Sequence, residues 1–83
     1  MITEQNIVDL IKALAEQRGW KVSHASRMAS GSGDTVDRLQ GGIGLTLRRA
    51  HAIIQQVSEL WPKEADAQWP TDIPRPARKR GAA

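Results

Sequence analysis

Residues 23–39, SHASRMASGSGDTVDRL, constrain the fold of this chain more than any other stretch. Ala25, Ser26, Met28 and Ala29 suit a short, tightly packed helix of about residues 24–30, with Ser23 as its N-cap. Gly31-Ser32-Gly33 breaks that helix, and Gly31 or Gly33 can supply a positive φ. A new helix is expected over 33–40, with Val36 and Leu39 three apart on its buried face, and Gly41-Gly42 ends it. Two short helices joined by a glycine-containing turn read as a helix-turn-helix, whose second helix enters the DNA major groove.

Stronger helical signals flank this stretch. Thr3 is a good N-cap, Glu4 suits a first turn, and Ile7, Leu10, Ile11 and Leu14 form one apolar stripe, widened by Val8 and Ala15. Gly19 stops that helix, which spans about 4–18. Thr46 caps a second long helix running from Leu47 to about Leu60, with Leu47, Ala50, Ile53, Ile54, Val57, Leu60 and Trp61 at helical spacing. Pro62 ends it. Trp20 and Val22 are expected in the core from the connection, though Trp20 also suits an exposed place near DNA.

Beyond Pro62 three of the chain's four prolines interrupt any regular stripe, and only Lys63–Gln68 has the makings of a helical turn. Trp-Pro occurs twice, at 61–62 and 69–70, without a detectable fold repeat. The expected fold class is all-α, a small bundle of four main helices containing a helix-turn-helix and followed by an irregular, proline-rich tail. The division is a helix-turn-helix domain over 1–61 and an extended basic tail over 62–83.

Composition removes several alternatives. Eighty-three residues make one domain at most, burying about 60% of their unfolded surface. The chain has no cysteine, so no disulfide and no cysteine-based zinc site, and His24 and His51 make no metal cluster. No apolar run approaches the ~18 residues of a membrane span, and no signal peptide is recognisable, so a cytoplasmic protein is expected. The carboxylates are scattered, no nucleophile motif surrounds a Ser or Thr, and Gly31-Ser32-Gly33-Asp34 lacks the lysine of a phosphate loop. Neither an enzyme nor a cofactor or small-molecule ligand is expected.

Charge is distributed unevenly. Residues 17–50 carry Arg18, Lys21, Arg27, Arg38, Arg48 and Arg49 against Asp34 and Asp37, a net +4, between two blocks of −2. The last 13 residues add Arg75, Arg78, Lys79 and Arg80 against Asp72, a net +3. Positive charge gathered on one unit is the footprint expected of a phosphate-binding surface. A solvated surface of mixed charge is the plain alternative.

On a helix-turn-helix reading, Ser32, Gly33, Asp34, Thr35, Asp37 and Arg38 face the bases. Arg38 is the best reader, since a guanidinium pairs bidentately with guanine O6 and N7. Asp37 accepts from cytosine or orients Arg38. Asp34 serves either as reader or as helix cap. Phosphate contacts fall to Lys21, Ser23, Arg27, Thr46, Arg48 and Arg49, and to Arg78, Lys79 and Arg80 if the tail follows the backbone rather than merely solubilising the chain. Ile54, Val57, Trp61 and Trp69 are the expected dimer contacts, Trp61 and Trp69 burying against the helices or a second subunit rather than stacking on bases.

From Leu14 to Trp61 the sequence resembles helix-turn-helix regulators of the phage lambda repressor/Cro type. Ser26, Ser30 and Gly31 stand at the family's alanine, glycine and branched positions, and a glycine at the last of these implies a looser or shifted turn. Val36 and Leu39 match the buried positions of the recognition helix, and Ser32 matches its cap. The chain also resembles small bacterial or prophage regulators with a Trp-Pro, Ile-Pro-Arg-Pro tail. The resemblance implies sequence-specific binding of double-stranded DNA as a homodimer on a two-fold symmetric operator, as a transcriptional regulator and most readily a repressor. The alternatives are a protein-interaction module, such as an antitoxin or adaptor, and a non-specific nucleoid-type DNA binder.

Overall fold

The computed structural model describes residues 2–76, and among these every regular element is helical. Four α-helices, α1 (Glu4–Arg18), α2 (Val22–Ser30), α3 (Thr35–Gln40) and α4 (Leu47–Leu60), are followed by a 3₁₀ helix, Lys63–Gln68. α1 packs on α2, α3 and α4, and α2 packs on α3 and α4. The protein is an all-α bundle, as its sequence implies.

α1 and α4 form where local signals place them. Thr3 accepts from the Asn6 N–H, and Asn6 accepts in return from the Thr3 N–H at 2.9 Å, a reciprocal cap. Gly19 takes the left-handed conformation (φ 71°) and lets the Trp20 N–H reach the Ala15 carbonyl at 2.8 Å. Ile7, Val8, Leu10, Ile11 and Leu14 are almost wholly buried. The Thr46 hydroxyl caps α4 by accepting from the Arg49 N–H at 3.2 Å.

α2 departs from expectation at its start. It begins at Val22, and Ser23 lies inside it rather than capping it. The Ala25 N–H already bonds the Lys21 carbonyl at 3.0 Å, which makes Lys21 the cap residue. Ala25, Ser26 and Ala29 fill the inward face, so Met28 (39% exposed) and Val22 (38%) fall outside the core. Trp20 is half-buried against the core, with the Arg18 guanidinium 5.2 Å from its ring and His24 edge-on at 4.8 Å. Leu47, the first residue of α4, is likewise exposed rather than buried.

The chain after Pro62 is not a detached tail over its described part. Trp61, Ala65, Trp69 and Ile73 belong to the same hydrophobic core as α1 and α4. The two Trp-Pro dipeptides turn out to begin one eight-residue motif, WPKEADAQ and then WPTDIPRP. In each, the indole N–H donates to the carbonyl four residues on, Trp61 to Ala65 at 2.7 Å and Trp69 to Ile73 at 2.8 Å. In each, the N–H of that same acceptor residue, Ala65 or Ile73, also returns to the proline carbonyl, at 3.1 and 3.3 Å. The two rings meet edge to face, 5.1 Å apart. Arg75 closes the assembly: its guanidinium lies 5.0 Å from the Trp69 ring, pairs with Asp66 at 3.0 Å and donates to Ser58 Oγ at 3.2 Å. Asn6 Nδ2 donates to Asp72 at 3.3 Å and joins this segment to α1.

This packing overturns one set of expectations. Ile54, Val57, Trp61 and Trp69 are at most 9% exposed within a single chain. They are core residues of the single chain, which leaves little of them for a second subunit.

Candidate nucleic-acid interface

The unit α2–turn–α3 is built from small hydroxyl side chains. α2 ends at Gly31, whose φ of 85° only glycine adopts without strain, and its N–H returns to the Arg27 carbonyl at 2.8 Å. Ser26, fully buried, donates to the Ser32 carbonyl at 2.7 Å. Ser30 Oγ donates to the Ser26 carbonyl at 2.7 Å and lies 2.6 Å from Thr35 Oγ1. With the Ser30 proton on Ser26, Thr35 Oγ1 is the donor to Ser30 Oγ, and it lies 3.2 Å from the Ser32 carbonyl. A left-handed glycine and a net of hydroxyls thus fix the turn.

α3 is six residues long, about 9 Å, too short to persist without its neighbours. Val36 and Leu39 anchor it in the core. It starts at Thr35 rather than at Gly33, because the first helical bond runs from the Arg38 N–H to the Asp34 carbonyl, 2.9 Å. Gly33 and Asp34 belong to the turn, and Gly33 runs close beside α2, where a Cβ on it would stand 3.6 Å from the Ser23 carbonyl.

Those boundaries sort the expected base-facing residues. Thr35 is 9% exposed and its hydroxyl is engaged inside the turn, while the residue still lines the groove between α3 and the start of α4. Asp34, Asp37 and Arg38 are exposed, while Ser32 and Gly33 are half-buried. Asp34 occupies the cap position of α3, yet its carboxylate caps nothing; it accepts from the Ser32 hydroxyl instead. That hydrogen bond, foremost, holds the Asp34 carboxyl below the usual carboxylate range; desolvation opposes it, and Arg38 nearby and Asp34's own backbone N–H lower it further. Gln40, exposed in the last turn of α3 and three residues after Asp37, joins the outward set. Its helical spacing could have signalled it.

Among the phosphate candidates, Lys21, Ser23, Arg27, Thr46, Arg48 and Arg49 are all exposed. Arg38, Thr46 and Arg49 come together on one open groove of about 350 Å³ between α3 and the start of α4, floored by Leu39 and Leu45 and flanked by Ile43. Its lining among the described residues contains two guanidiniums and no carboxylate. Arg49 also reaches across 19 positions of sequence to donate from Nη2 to the Ser30 carbonyl at 3.1 Å, a link that no local pattern could announce. Arg78, Lys79 and Arg80 lie outside the described residues.

No group of His, Asp or Glu among the described residues is arranged to hold a metal ion, and no described helix is long and apolar enough to cross a membrane. No protein-family model, curated protein or solved structure matches this chain.

Proposed function

We propose that this protein binds double-stranded DNA sequence-specifically through α3 and acts as a small transcriptional regulator, a repressor that occludes a promoter. One observation carries the reading. Arg38 and Arg49, from two different helices, line one open groove beside an exposed short helix, with no carboxylate among the groove's described lining residues. Two cations concentrated in a concavity raise the local potential for an anion. The exposed Asp34, Asp37, Arg38 and Gln40 offer both donors and acceptors to base edges. On this reading Lys21, Ser23, Arg27, Thr46, Arg48 and Arg49 meet phosphate. The protein acts as a homodimer on a two-fold symmetric site, through a face other than Ile54, Val57, Trp61 and Trp69.

Selection of bound fragments from a random DNA pool tests this. The winning sequence and a scrambled control are then titrated at two salt concentrations. With about five phosphate contacts, log affinity falls with log salt at a slope near −4 to −5. The winner is preferred by ~10³ or more. Arg38→Ala costs about 1–3 kcal/mol on the winner and relaxes the preference at one base pair. A slope without preference identifies a non-specific nucleoid-type binder and sinks the proposal.

A second reading, a protein-interaction module of the antitoxin or adaptor kind, is favoured by Ile43 and Leu47, apolar side chains that are 52% and 66% exposed. Absence of both salt slope and sequence preference in the same titration selects it.

A further inference from the structure

We infer that Arg49 is a positioning residue, not simply a phosphate contact: it locks the α2–turn–α3 unit to the start of α4, and sequence selectivity depends on that lock. The inference rests on the DNA-binding reading above. The last carbonyls of an α-helix have no partner within the helix. At the end of α2 the Arg27 carbonyl is satisfied by Gly31, while the Ser30 carbonyl accepts from Arg49 Nη2 at 3.1 Å. A guanidinium at a helix C-terminus is favoured twice, by a charge-assisted hydrogen bond and by the helix dipole.

Ser30 is also the centre of the turn. Its hydroxyl lies 2.6 Å from Thr35 Oγ1, and Thr35 opens α3. A path of two hydrogen bonds, Arg49 to Ser30 and Ser30 to Thr35, therefore joins the first turn of α4 to the first turn of α3. The path matters because α3 takes its main packing from α1 and α2, and faces the start of α4 across an open groove. The anchor itself is fixed, since the Arg49 backbone N–H is held by the Thr46 hydroxyl. Only one of the five guanidinium donors is used by Ser30, which leaves the rest for an anion in the groove. An Arg49 that engages phosphate thus transmits the position of the DNA backbone to the helix that reads bases.

Comparison of Arg49→Ala with Arg48→Ala tests the lock, because the second variant removes the same charge one residue away. Two quantities are measured: amide hydrogen exchange over residues 31–35 in the free protein, and affinity for the selected and scrambled DNA at two salt concentrations. Arg49→Ala is expected to speed exchange at Gly31 and Ser32, whose N–H groups bond the Arg27 carbonyl and Ser30 Oγ, about tenfold, the worth of one hydrogen bond. It also narrows the selected-to-scrambled ratio about tenfold. A general loss of stability would weaken both complexes alike and leave that ratio unchanged. Arg48→Ala should leave exchange over 31–35 as it is, weaken both complexes alike and flatten the salt slope by about one. The lock is overturned if Arg49→Ala behaves as Arg48→Ala does in both measurements. Should neither DNA bind the unmutated protein, the DNA reading fails, and exchange in the free protein still decides whether the lock exists.

Discussion

Two segments of this molecule bend the chain sharply and fix it there, by opposite means. The turn between α2 and α3 is held by hydroxyls: Ser26, Ser30 and Thr35 converge on the Ser32 carbonyl and on one another. The Trp61–Ile73 segment is held by two indoles, each spanning its own bend and packing on the other. The hydroxyl net is compact, so Asp34, Asp37, Arg38 and Gln40 stay outside it. The indole clasp consumes its large side chains in the core and leaves its rim to Arg75, itself paired with Asp66. A bend that must present a surface is built from small polar groups. A bend that must close a small core is built from aromatic area, ~150–250 Å² for each tryptophan.

The comparison breaks most visibly at Trp61. Trp61→Ala removes a side chain that is 2% exposed and leaves the Ala65 carbonyl without its indole partner. A loss of about 3–5 kcal/mol is expected in denaturant unfolding, a large share of the stability of so small a domain. If the clasp were a dispensable tail, the unfolding midpoint would hardly move.

Gly31→Ala probes the turn more gently. No atom lies within 4 Å of where the new Cβ would stand, so the cost is purely that of an alanine held at φ 85°. About 1–2 kcal/mol is expected in the same unfolding measurement. A larger loss would mean that the hydroxyl net tolerates no relaxation at all.

The smallest effect belongs to Asp34. Its folded-state pKa lies below the unfolded value, so its contribution is present above the usual carboxylate range and fades as pH falls through the lowered pKa. Asp34→Asn should lower the thermal midpoint slightly near neutral pH, and the two midpoints should converge in acid. Equal midpoints at every pH would show that the Ser32–Asp34 hydrogen bond contributes nothing, and that the backbone and buried hydroxyls alone hold the turn.

How far the sequence could be read depended on the range of the forces involved. α1 and α4 announce themselves because caps and an apolar stripe act within a few residues. The start of α2 does not. Ser23 has good cap chemistry, but the inward placement of Ala25, Ser26 and Ala29 starts the helix at Val22. Thr35 has the chemistry of a reader, and no local pattern announces that its hydroxyl is engaged with Ser30 inside the turn. The repeated Trp-Pro is plain in the sequence, whereas its meaning is not, because an indole bond to the fourth residue on requires the bend that the bond itself stabilises.

The amino-acid sequence by itself therefore determined an all-α chain, two long helices with their ends, a glycine-broken pair of short ones between them, and a concentration of positive charge around that pair. Tertiary structure alone decided which side chains remain on the surface. It drew Trp61 and Trp69 into the core, brought Arg38 and Arg49 to one groove, and tied Arg49 to Ser30. Propensity and periodicity act between near neighbours. Exposure is settled by what packs from a distance, and a surface is whatever that packing leaves uncovered.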